Sequence, residues 1–143
     1  MKTLKEPYVE AAVRAYLKEK GWKLQNQQKE KGEHGPDILA FNRKLSRTII
    51  IEAKGESKSF KPQYQGTALP TLLGQIISRI DKQGNDAQKS RIYAIAVPIS
   101  WEKALKKKAK EMYYAWCLLK LRVFLVNGNN KVEDKNYRHF LKE

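Results

Sequence analysis

The feature that most restricts the fold is the run Thr48-Ile49-Ile50-Ile51-Glu52-Ala53-Lys54. Its β-branched side chains favour an extended strand. Yet this apolar strand ends on an acid and a base. Side chains alternate faces along a strand, so Glu52 and Lys54 project together while Ile51 and Ala53 face the other way. Charged groups at the end of an otherwise apolar strand are costly to bury unless they serve each other or a ligand.

Around that strand the sequence predicts the order α-β-β-β-α-β-α-β. Pro7, Val9, Ala12, Val13, Tyr16 and Leu17 predict an amphipathic helix opened by proline and stopped at Gly21. Residues 22–28 read as a weak first strand, 31–36 as a turn and 37–41 as a second strand, with a polar turn over 42–47. Residues 55–66 read as a polar loop. Leu69, Leu72, Leu73, Ile76, Ile77 and Ile80 recur at helical spacing, ended by Gly84. Residues 91–97 predict a strand closed by Pro98. Residues 101–116 predict a helix whose buried face is Trp101, Leu105, Ala109, Met112 and Trp116. Residues 121–126 predict a last strand, and the tail from Lys131 is a short helix or disordered. This order describes one α/β domain over residues 1–143, a mixed sheet flanked by helices.

The second and third strands predict where chemistry gathers. If their turn is centred between Lys44 and Leu45, residues whose numbers sum to about 89 lie opposite each other. Asp37 then falls beside Glu52. Two carboxylates close together repel each other and hold a hard divalent cation well, and Mg2+ prefers one or two carboxylates with waters and phosphate oxygens. Such a cation polarises a phosphoryl oxygen and lowers the pKa of its bound water. Lys54 is placed to orient or deprotonate that water, or to neutralise charge developing on the phosphorus.

Pro36-Asp37, then fourteen residues, then Glu52-Ala53-Lys54, resembles the PD-(D/E)XK signature of restriction-endonuclease-like and junction-resolving nucleases. The resemblance covers roughly residues 6–97 and implies a restriction-endonuclease-like αβββαβ core, with the last helix and strand peripheral to it. It implies a Mg2+-dependent deoxyribonuclease, with Mn2+ substituting, in which Asp37, Glu52 and Lys54 are catalytic and Asp37 and Glu52 bind metal. Such nucleases often carry an acid on the first helix, where Glu10 is the best match, although Arg14 offers Glu10 an ordinary ion pair one turn on. They also often carry a glutamine on the helix after the third strand, which Gln75 in Leu73-Gly74-Gln75-Ile76 resembles. Arg79, one turn beyond, is placed to meet a phosphate.

Charge points to the same partner. With 29 Lys+Arg against 15 Asp+Glu the chain carries a net +14, and binding a polyanion releases condensed counterions. Lys103, Lys106, Lys107 and Lys110 form one helical stripe facing DNA, and Lys58 and Lys61 lie on the loop that leaves the site. His34, Cys117, Tyr113 and Tyr114 are read as structural or solvated. A lone cysteine, no signal-like N-terminus and no apolar stretch of membrane length fit the cytoplasm. Two other classes compete with the nuclease: a catalytically inactive nucleic-acid-binding module, and a basic RNA-binding protein of ribosomal type. Targeting is expected to come from the chain's own surface, from a homodimer partner or from an accessory protein.

Overall fold

The computed structural model describes residues 3–25, 35–56, 62–81 and 90–142. Helix α1 (Glu6–Glu19) opens with proline in its first turn and turns Val9, Val13 and Leu17 inward. Strands β1 (Lys23–Leu24), β2 (Ile38–Asn42) and β3 (Arg47–Ala53) form an antiparallel meander. Helix α2 (Pro62–Asp81) crosses to β4 (Arg91–Pro98), which lies parallel to β3. A 3-10 turn (Ile99–Trp101) and helices α3 (Glu102–Glu111) and α4 (Tyr113–Leu119) lead to β5 (Arg122–Val126), parallel to β4. Strand β6 (Val132–Lys135) folds back antiparallel, and a 3-10 turn (Tyr137–Leu141) follows. The result is one six-stranded mixed sheet in the order β1-β2-β3-β4-β5-β6.

Helices cover both faces. On one, Val9, Val13 and Leu17 of α1 pack on Ile49, Ile51, Ala94 and Phe124. On the other, Leu72 and Ile76 of α2 and Leu105 of α3 pack on Ile50, Ile95 and Val123. The central parallel strands are therefore apolar on both sides, as two-faced burial demands. The face predicted for residues 101–116 is found: Trp101, Leu105, Ala109 and Trp116 are buried and Met112 is half-buried. The C-terminal turn closes this layer, with Phe140 edge-on to Trp116 and the Trp116 indole donating to the Tyr137 carbonyl at 2.8 Å.

Several boundaries differ from the sequence expectation. β1 has two residues, and residues 26–34 lie outside the described ones. α2 begins at Pro62, seven residues before the apolar repeat, and runs through Pro70. An interior proline forfeits a helical hydrogen bond, but burial of Ala68, Leu69 and Leu72 on the sheet outweighs it. The described part of α2 ends at Asp81, and Gly84 lies outside it. The helix over 101–116 breaks at Met112, whose backbone leaves the helical region at φ −116°, ψ 46°. Tyr113 and Tyr114, read as structural, are exposed at 55% and 85%. The tail is neither disordered nor simply helical; it supplies an edge strand. None of the described helices is long and apolar enough to cross a membrane.

Candidate metal and nucleic-acid site

β2 and β3 pair in the predicted register: Ile38 with Ile51, Leu39 with Ile50, Ala40 with Ile49. Continuing that register sets Asp37 against Glu52. Asp37 stands just before β2, where its Oδ2 accepts the Ala53 amide hydrogen at 2.8 Å. Its carboxyl also hydrogen-bonds to that of Glu52.

Glu52 is 2% exposed, on the face of β3 that carries Ile50. Arg79 of α2 donates through Nε to its Oε1 at 2.9 Å. Burial pushes the Glu52 carboxyl up to about 7, helped by the neighbouring Asp37 charge and opposed by Arg79. A carboxyl so placed holds its proton near neutrality and has a nearby acid to share it with.

α1 brings more acid from the other face. Gly55 follows the end of β3 at a chain crossing, where a side chain would overlap the Glu6 nitrogen and the Lys5 carbonyl carbon. Only glycine lets the two backbones approach so closely. Glu56 N–H donates to the Leu4 carbonyl at 2.7 Å, and Leu4 N–H donates to Glu56 Oε1 at 2.9 Å. Ser100 donates to the other Glu56 oxygen at 2.8 Å. This lock fixes where α1 starts. A carboxylate oxygen from each of Glu6, Glu10 and Asp37 then falls within 4.8 Å of the others. Arg14 reaches the Asp37 backbone carbonyl at 2.7 Å and further fixes the approach.

Lys54 follows β3. Its amide donates to the Ala96 carbonyl at 3.0 Å and continues the parallel ladder, so alternation keeps its side chain on the Glu52 face. It is half-buried. The arrangement therefore brings Asp37, Glu52 and Lys54 to one sheet end and adds Glu10 to the Asp37 side.

The remaining expected residues stand apart. Gln75 is exposed on α2, one turn before Arg79, and makes no hydrogen bond with Asp37 or Glu52. Arg79, expected to meet a phosphate, is turned onto Glu52. Lys103, Lys107 and Lys110 are exposed and Lys106 half-buried on α3, away from its buried Leu105 and Ala109. Lys58, Lys61 and His34 lie outside the described residues. Glu6 was missed, although it stands four residues before Glu10 and so shares its helix face. An acid in the first turn also stabilises a helix without any ligand, which hid it. No family model matches the chain, and neither a curated protein nor a solved structure does.

Proposed function

We propose that the chain is a Mg2+-dependent deoxyribonuclease of the PD-(D/E)XK kind, on a restriction-endonuclease-like αβββαβ core, that hydrolyses phosphodiester bonds of DNA. The observation that carries this reading is the meeting of Asp37 and Glu52 at one sheet end, with Lys54 on the Glu52 face and Glu10 beside Asp37. The donor set suits a hard cation. It is all oxygen, drawn from separate elements, and clusters like charges that repel without an ion between them. Asp37, Glu52 and Glu10 would hold Mg2+ or Mn2+, with Glu6 adding a further carboxylate. The ion would supply Lewis-acid polarisation of the phosphate and a water of lowered pKa.

The chain's own residues account for the rest. Arg79 fixes the Glu52 rotamer and counters its burial, which makes it a positioning residue. Lys54 orients the attacking water or stabilises negative charge on the phosphoryl oxygens. The lysines of α3 contact DNA phosphates along the flank. A single site per chain leaves cutting of both strands to a second copy or to an accessory partner.

One observation favours a second reading. The Glu52–Arg79 ion pair is also what a catalytically inactive DNA-binding module would keep for structure. Plasmid, linear, single-stranded and four-way-junction DNA, each with Mg2+, Mn2+ or EDTA, separate the two. Metal-dependent cutting abolished by Asp37→Asn and by Lys54→Ala, with folding and DNA binding retained, is the expected result. Binding without cutting of any substrate would leave the inactive module.

A further inference from the structure

The end of the sheet away from Glu52 carries a second concentration of charge. Arg47, Arg91 and Arg122 are the first residues of β3, β4 and β5, so they begin adjacent strands at one rim. Lys120 stands two residues before Arg122. All four line one open cleft of about 630 Å³, within the range of roughly 300–1,000 Å³ typical of small-ligand sites. Ile80, Leu119, Leu121 and Tyr137 give the cleft an apolar floor, and no carboxylate is among its described lining residues. Asp134 reaches Arg122 from β6 at 3.3 Å. Arg47 and Arg91 form no ion pair with a described residue.

Cations gathered at one opening repel each other, and an anion seated among them relieves that repulsion. Lys120 adds to the case. It caps α4 in the left-handed conformation, at φ 49° and ψ 42°, where glycine or asparagine suits the backbone best. A lysine there strains the backbone but answers the negative end of the helix dipole, and it places a further cation at the cleft. The combination of rim and floor also restricts the ligand. Inorganic phosphate would use the rim alone, and a hydrocarbon the floor alone. A nucleotide uses both, with its phosphate on the guanidinium groups and its base over apolar and aromatic side chains.

We propose that this cleft binds one nucleotide of a nucleic-acid strand, as an anchor remote from the carboxylates. It rests on DNA as the partner, as proposed above, but not on catalysis. Thr48 pairs with Arg91 and Glu52 with Ile95, so four strand positions separate the two sites, or about 13 Å. A strand stacked at the duplex rise of ~3.4 Å per nucleotide spans that distance in about four nucleotides.

Calorimetry in EDTA reads the binding of adenosine monophosphate or inorganic phosphate, and anisotropy with Mg2+ on the Lys54→Ala chain, which should bind without cutting, reads labelled single strands from a dinucleotide to a dodecanucleotide. With the cleft intact, affinity should rise once a strand exceeds about four nucleotides. Arg47→Ala/Arg91→Ala should remove that gain and weaken mononucleotide binding at least about tenfold. Lys120→Gly, which suits the backbone and so folds, should also weaken it. Lys5→Ala/Lys131→Ala removes the same charge at the opposite end of the sheet, where Lys5 lies at the Gly55 crossing and Lys131 precedes the partner of Val126, and should leave mononucleotide binding within about twofold. Equal losses in the cleft and control variants, or phosphate binding as tightly as the mononucleotide, would overturn the anchor. Normal cleft binding with no DNA cutting would instead sink the nuclease and leave the anchor standing.

Discussion

Arg79 on α2 and Glu52 on β3 form an ion pair across a helix–sheet interface, at 2.9 Å and with side chains 16% and 3% exposed. A pair this buried is strongly destabilised by losing one partner, because the other charge is left in a poor solvent. Glu52 can escape by taking up a proton, so the penalty depends on pH. Arg79→Ala should lower stability by about 1–3 kcal/mol near pH 8.5 and by far less near pH 5. Urea unfolding at the two pH values checks this; an equal loss at both would show that Arg79 contributes packing rather than charge.

Glu52 also sets a pH dependence in the metal-free chain. Its folded-state pKa, about 7, lies above the ordinary 4.5. The protonated form is therefore the one the fold favours. Its stabilising contribution is complete below pH ~4.5 and is lost as pH rises through ~7. Glu52→Gln, which stays neutral, should become more stable relative to the unaltered chain between about pH 5 and pH 8, by roughly 1–3 kcal/mol in EDTA. Mg2+ acts the other way, since it needs the carboxylate. Its affinity should rise with pH through ~7, with proton release that calorimetry in buffers of different ionisation enthalpy would detect. Binding of Mg2+ with no proton release would place the ion away from Glu52.

Gly55 tests whether the site depends on where α1 begins. Gly55→Ala places a methyl group inside the backbone of Lys5 and Glu6. The first turn of α1 must shift, at a cost of about 1–3 kcal/mol. Glu6 and Glu10 should move from Asp37, and Mg2+ affinity should fall more than stability explains. Crystallography of the variant, or Mg2+ titration at a temperature where it is fully folded, reads this directly. Unchanged Mg2+ affinity would remove Glu6 and Glu10 from the metal site.

The lysine stripe of α3 makes a separate claim on DNA. Lys103→Ala/Lys107→Ala should weaken binding by a similar factor for every DNA sequence. It should also reduce the slope of log affinity against log salt by about 2. Loss confined to one sequence would mean that these residues read bases, and no change in slope would mean that they touch no phosphate.

Much of the candidate site's geometry was legible because hairpin arithmetic is rigid. Once the turn was centred between Lys44 and Leu45, the side-chain period of two placed Asp37 beside Glu52 and turned Lys54 to the same face. The buried stripe from Trp101 to Trp116 was legible for a related reason, since a helical repeat survives a break at one residue. What could not be read were contacts between distant segments. Nothing near Gly55 announces that Leu4 to Glu6 cross it, and nothing near Arg79 announces that it turns inward to Glu52. The N-terminal half of α2 was hidden by Pro62 and Pro70, whose local preference is overridden by packing. β6 was hidden because Val132-Glu133-Asp134-Lys135 has almost no apolar alternation, as befits a strand with one neighbour.

That last strand has a consequence for how copies of the protein can meet. The sheet is bordered by a two-residue strand on one side and by Glu133, Asp134 and Lys135 on the other. Short or charged borders discourage a second chain from adding its own strand. Among the described residues, neither border thus offers a long apolar template on which other copies could zip into fibrous aggregates. If two copies pair, helical surface is open to them at α4, where Tyr114 and Leu118 stand 85% and 82% exposed, and a pairing there can be undone without opening either sheet.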